Sequence, residues 1–306
     1  MKSIDALTNG LVDYAGLFPP AGEDMRTAVA SYASYLRGPD RSALGRFVVP
    51  VTRLQEFTNA AIGPLPRDQR SAPWRLSVLV SGDVRAAGQE MLGFNRDHQP
   101  RSDVGRAIID AAELKATSAD EIEQQHRDLP QGFTTYFEIP VAGDVTPLIR
   151  SIAASGGRAK VRTGGVTSDA FPPAEALIDF LVACHRERVA FKATAGLHHP
   201  VRDEYPLTYE ANSPVGRMYG FLNVFLAASF LYAGESEQTA LSMLEEDDPA
   251  AFSFERDTVA WRDKRLSAKQ IDASRKNFAI SFGSCSFREP ISELAELIRR
   301  TNQVNR

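Results

Sequence analysis

The feature that most constrains this chain is an alternation of two patterns. Eight short apolar runs, each of strand length, are separated by segments with helical periodicity. The runs are Leu11 to Ala15, Gly45 to Pro50, Trp74 to Ser81, Ile108 to Ala116, Phe133 to Pro140, the AKVR and AFKAT stretches around Lys160 and Lys192, and Phe278 to Phe282. Between them lie helix signals: Asp24 as a cap for a helix to about Arg37, Asp83 before another, Ser118 with Glu121 as a capping box, and a helix from about Thr146 to Ala154. Such alternation specifies parallel βαβ units. Eight of them favour an α/β fold of the (β/α)8 TIM barrel class, with an open doubly wound sheet as the alternative.

The chain has 306 residues, 43% of them hydrophobic and 24% charged, which suits one barrel domain over residues 1–306. One stretch is too long for a simple connection. Residues 201–277, between the seventh and eighth runs, read as an insertion over the barrel mouth or at a homodimer contact. It holds an apolar helix at Met218 to Ala233, a shorter one near Thr239 to Glu246, and an ambiguous segment from Phe252 to Asp263. A final helix is expected from Pro290 to Thr301.

Net charge is −4, which gives no reason to expect nucleic acid or an anionic membrane as partner. The apolar run from Gly220 to Gly234 is short for a bilayer and contains Asn223. The first residues lack the uninterrupted apolar core of a signal peptide, so the expected location is cytoplasmic. The two cysteines, Cys184 and Cys285, make no disulfide scaffold and no zinc spacing. No cofactor is called for.

Seven lysines stand against twenty-eight arginines, yet Lys115, Lys160 and Lys192 all fall at the ends of apolar runs. An unpaired buried ammonium is costly, so such lysines imply a site. Lys160 and Lys192 are 32 positions apart, about one βα unit, which sets them side by side on neighbouring parallel strands. Barrel sites form where strands end. The polar residues there are Asp13, Glu113 with Lys115, Glu138, Lys160 with Arg162, Lys192 with Thr194, and Ser284. A spacing of two keeps each pair on one side of its strand. A free lysine has a pKa of about 10.4. Burial, with Lys192 and Arg162 nearby, would lower that of Lys160 and leave an amine able to attack a carbonyl. Glu113 or Glu138 would shuttle protons. The bland alternative is a structural Lys–Glu pair.

These residues resemble a known family. The chain looks like a divergent relative of the class I aldolases of the deoxyribose-phosphate aldolase type. VDYAGLFPPAGEDM is similar to that family's opening strand and turn, with Asp13 and Pro19 in register. AKVRTGG resembles its strand-six Lys-Thr-Ser-Thr-Gly motif, and AFKATAGL its strand-seven Phe-Lys-Pro-Ala-Gly-Gly motif. YFEIP and SFGSCS resemble its strands five and eight. The resemblance implies a TIM barrel and imine chemistry on a small carbonyl compound. Lys160 would form the Schiff base, Lys192 would perturb it, and Glu138 aligns with the family glutamate. Glycine turns at Gly165, Gly196 and Gly283, with Arg162, Ser284 and Ser286, would hold an anionic end. The chain departs from the pattern at Phe18, Glu113, Val161, Arg162, Leu197, His198 and His199.

His198 and His199 admit two further readings. One of them, His198, would face the substrate as a proton carrier. Together with Glu113 and Glu138 they would serve a metal-assisted hydrolase, but no His-x-His or His-x-x-His spacing supports a metal. A third reading is a barrel that binds a small anion without turnover. Cys285 follows a glycine turn with no base evident beside it in sequence, and reads as a small buried thiol. Tyr14 reads equally as a site residue or as core.

Overall fold

The computed structural model describes residues 2–99 and 103–304. Eight parallel strands close into a barrel. In chain order they are Val12–Tyr14, Leu44–Pro50, Trp74–Leu79, Ala107–Lys115, Thr134–Glu138, Arg158–Arg162, Phe191–Thr194 and Ala279–Ser284. Each pairs with its predecessor, and the last returns to the first, so no edge is left open. This is the (β/α)8 architecture, and the open sheet is excluded.

The helices start where side chains satisfy their first N–H groups. Asp24 accepts from Thr27 N at 2.9 Å and Asp83 from Ala86 N at 3.0 Å. Each such cap stabilises its helix by about 1 kcal/mol. Ser118 also caps, accepting from Glu121 N at 3.2 Å. The reciprocal half of the expected box is displaced by one residue, because Glu121 accepts from Thr117 N at 2.6 Å. The outward faces of the strands meet the helices through aromatic packing. Phe47 of the second strand lies 5.4 Å from Tyr32 and 5.2 Å from Phe57, ring to ring. Tyr14 is part of this cluster, with its hydroxyl donating to Glu23 at 2.5 Å, so it is packing rather than site.

Residues 201–277 differ from a simple insertion. The helix Phe221–Tyr232 is buried on nearly every face. Its Phe221 and Phe225 pack on Phe282 of the eighth strand at 5.5 and 5.8 Å. It is therefore the barrel's own helix between strands seven and eight, and its uniform burial explains its lack of a polar stripe. Two additions flank it. A hairpin pairs Asp203–Pro206 with Val215–Met218, so Met218 is strand rather than helix, and this hairpin reaches over the mouth. The ambiguous segment is a three-stranded antiparallel sheet, Phe252–Phe254, Thr258–Trp261 and Lys264–Ser267. That sheet is tied to the first helix, Ser3–Thr8, by Ser3 N donating to Arg256 O at 2.8 Å. Among the described residues no helix is long and apolar enough to cross a membrane.

Candidate active site at the barrel mouth

The strand register sets the centre. Glu138, Lys160, Lys192 and Ser281 stand opposite one another on four successive strands. Lys160 Nζ lies 2.8 Å from Glu113 Oε2 and 2.7 Å from Glu138 Oε2. Lys192 Nζ lies 2.6 Å from Glu113 Oε1 and 2.6 Å from Asp13 Oδ2. Glu113 thus bridges the two ammonium groups, one oxygen to each. Arg162 Nε completes the set at 3.3 Å from Glu138 Oε1. Three carboxylates face three cations, which is how buried charge becomes tolerable.

Neutral donors finish the network. Ser77 Oγ donates to Glu113 at 2.6 Å, and Ser281 Oγ donates to Asp13 at 2.9 Å. The second oxygen of Asp13 accepts from Arg46 N at 2.7 Å. Gly45 makes room for this, since a Cβ there would stand 2.2 Å from Asp13 Oδ1. Ser77 and Ser281 are missed by sequence reasoning. Each is a lone hydroxyl within an apolar strand, and only the register shows its partner.

The charges hold one another ionised. Burial alone would raise the Glu113 carboxyl, but Lys160 and Lys192 reverse this and hold it far below the usual range. Burial opposes Asp13 in the same way, and Lys192 and Arg46 pull it down. Glu138 is likewise lowered, chiefly by Lys160 against its desolvation. Burial would lower the Lys192 ammonium, but Asp13 and Glu113 push it above the usual lysine range. These shifts fix a pH window. Carboxylates depressed in the folded state stabilise it above their unfolded pKa of about 4, and that contribution is lost as pH falls through the folded values. The raised Lys192 stabilises below its unfolded pKa of about 10.4, and that contribution is lost as pH rises through its folded value. Urea midpoints are therefore expected to fall steeply as pH drops below about 4. Midpoints that hold level or climb from about pH 4 to about pH 2 would contradict the charged network.

Above the network lies a cavity of about 280 Å3. Lys160, Lys192 and Glu113 reach its floor, and Arg162, Gly165, Gly196 and Gly283 its wall. Gly196 has φ +73°, and a Cβ there would sit 2.9 Å from the Gly164 backbone, so only glycine fits this turn. Phe18 and the hairpin residues Leu207 and Tyr209 form the rim.

Three of the expected substrate-binding residues are elsewhere. Asp13 is 1% exposed beneath the cavity and is spent on Lys192. Ser284 Oγ accepts from Ser286 N at 3.3 Å, and Ser286 Oγ accepts from Glu289 N at 3.2 Å. These serines hold the turn into the last helix, Arg288–Val304, and neither lines the cavity.

His198 and His199 both line the cavity, but their carboxylates come from that last helix. His198 Nδ1 is 2.9 Å from Glu289 Oε2 and His199 Nδ1 is 2.8 Å from Glu293 Oε2. Glu289 and Glu293 are four apart, hence on one helix face, a spacing present in the sequence as a signal. Glu113 and Glu138 are held by the lysines, so the expected grouping of those two with the histidines does not form. Among the described residues, the His199, Glu289 and Glu293 ligand atoms lie within 4.8 Å of one another.

Fold and site together define a (β/α)8 barrel with an ionised lysine–carboxylate network under a mouth cavity, an architecture that commonly houses enzymes. No protein-family model matches the chain, and no curated protein is significantly similar to it in sequence.

Proposed function

We propose that the protein is a class I, Schiff-base lyase of the aldolase type, acting on a small carbonyl compound. The observation that carries this reading is the position of Lys160: its amine stands at the floor of the cavity beside Lys192 and within 2.7 Å of Glu138. The resemblance of the strand-six and strand-seven runs to the deoxyribose-phosphate aldolase type supports it.

In this reading Lys160 gives up a proton to water by way of Glu138, which relays it and stays ionised, and Nζ attacks the substrate carbonyl carbon. The carbinolamine loses water, which leaves an iminium. That cation draws the electron pair of the adjacent C–C bond as a base takes the proton of the β-hydroxyl, so an aldehyde departs and an enamine remains. Protonation of the enamine and hydrolysis of the imine release the second product and restore the amine. Lys192, held charged by Asp13 and Glu113, is the fixed cation beside the reacting amine, the part that the resemblance gives it. Arg162, with Gly165, Gly196 and Gly283, suits an anionic substituent at the wall.

The test is reductive trapping. Small aldehydes and ketones, among them pyruvate and glyceraldehyde, are offered with borohydride, and the peptide carrying Lys160 is weighed by mass spectrometry. A secondary-amine adduct on Lys160 is expected for at least one of them. An unmodified Lys160 across the whole panel would sink the imine reading and leave a barrel that binds a small anion without turnover.

A further inference from the structure

Cys285, His198 and Glu289 form a chain of contacts that the Lys160 chemistry does not use. All three line the mouth cavity. Cys285 Sγ is 3.9 Å from His198 Nε2, and His198 Nδ1 is 2.9 Å from Glu289 Oε2. Each ring nitrogen therefore has its own partner, thiol on one side and carboxylate on the other. This is the arrangement of a nucleophile, a base and the group that orients the base. Sequence alone hides it, because the three residues come from the turn after strand seven, the turn after strand eight and the last helix.

We propose that Cys285 is a second nucleophile of this cavity, activated by His198 and oriented through Glu289, and that it accepts acyl groups from small esters or thioesters. In the first step Sγ attacks the acyl carbon and an S–C bond forms. The C–O or C–S bond to the leaving group breaks, and the thiol proton passes through His198 to that leaving group. Water then attacks the acyl-cysteine carbonyl, with His198 taking its proton. The acid is released and the thiol restored, so no oxidant, reductant or further reactant is needed.

The surroundings hold the pair in place: His198 is 8% exposed and is contacted by Cys285 at one ring nitrogen and Glu289 at the other. The other groups facing it are the Tyr209 phenol, which donates to Glu289 at 3.0 Å and lies 3.9 Å from Cys285, and the His199 ring at 6.4 Å, itself paired with Glu293. Cys285 also stands just ahead of a 17-residue helix, Arg288–Val304, and a helix N-terminus favours a nearby negative charge. The inference is independent of the imine reading, since its readout is a sulfur and not Lys160.

Iodoacetamide labelling from pH 5 to 9, followed by peptide mass spectrometry, tests it on the full-length protein. The only other cysteine, Cys184, is buried in a core helix and serves as an internal check that each variant is folded. Wild-type Cys285 should label at pH 6 about tenfold or more faster than in H198Q, because an ordinary thiol with a pKa of about 8.5 is almost wholly protonated there. With p-nitrophenyl acetate, one equivalent of p-nitrophenol should appear in a burst and an acetyl group should be found on Cys285, both absent in C285S. If H198Q exposes Cys184, E289Q takes its place and should slow labelling by about threefold or more. A wild-type profile that rises only near pH 8 and is unchanged in the folded variant overturns the proposal, as does a Cys285 that stays free of acetyl.

Discussion

Lys192→Met is expected to lower the unfolding free energy by about 3–5 kcal/mol, the cost of breaking a buried ion pair from one side. Methionine nearly matches lysine in volume, so packing changes little and the loss is electrostatic. The reason lies in what is left behind. Asp13 and Glu113 each give Lys192 a contact of 2.6 Å, and Lys192 and Asp13 are both 1% exposed. Among the described residues, Asp13 would keep Ser281 Oγ and the Arg46 N–H as hydrogen-bond partners. Neutralising it should relieve the defect. The pair Asp13→Asn and Lys192→Met should be less destabilising than the sum of the single changes by roughly 0.5–3 kcal/mol. Urea denaturation of the four proteins measures this directly. Additive losses would mean that Asp13 and Lys192 do not share a charge interaction.

Lys160→Met should act on the other side of the balance. Its removal leaves Glu113 with Lys192 at 2.6 Å and Glu138 with Arg162 at 3.3 Å, so neither carboxylate is abandoned. The expected stability loss is about 1–3 kcal/mol, near that of an unmet buried hydrogen-bonding group. The chemical loss should be far larger. Deletion of a covalent nucleophile lowers turnover on the order of 10^4-fold or more. With whichever carbonyl compound is trapped on the wild-type protein, the variant should give no adduct and no measurable cleavage. Trapping at Lys192 in the wild-type protein, and none at Lys160, would reassign the nucleophile to the neighbouring strand. The two lysines are thus separable by experiment: loss of Lys192 is read first in stability, loss of Lys160 first in chemistry.

Much of this architecture is legible from local pattern. Strand-length apolar runs and helix caps are short-range properties, so the eight barrel strands fall within a few residues of where periodicity puts them, and Asp24, Asp83 and Ser118 cap as their chemistry requires. The pairing of Lys160 with Lys192 follows from the length of one βα unit. The stretch from 201 to 277 is harder. A helix buried on all sides has no amphipathic stripe to orient it, so Phe221–Tyr232 does not announce itself as the barrel's own. Short antiparallel strands such as Thr258–Trp261 take their identity from partners, not from periodicity.

Sequence by itself determined the eight alternating strand and helix units, the placement of Lys160 and Lys192 on neighbouring strands and the glycine turns that follow them, because each is written in residues close together along the chain. Tertiary structure decided the rest. It put Asp13 beneath the cavity and not in it, because closure of the barrel brings strand one against strand eight and within reach of Lys192. It turned Ser284 and Ser286 toward the last helix, and it gave His198 and His199 the carboxylates Glu289 and Glu293. Cys285 acquired a base the same way, across 87 residues of chain. Charge pairing and hydrogen bonding act over a few ångströms regardless of sequence separation, so only the closed barrel determines which of these groups meet.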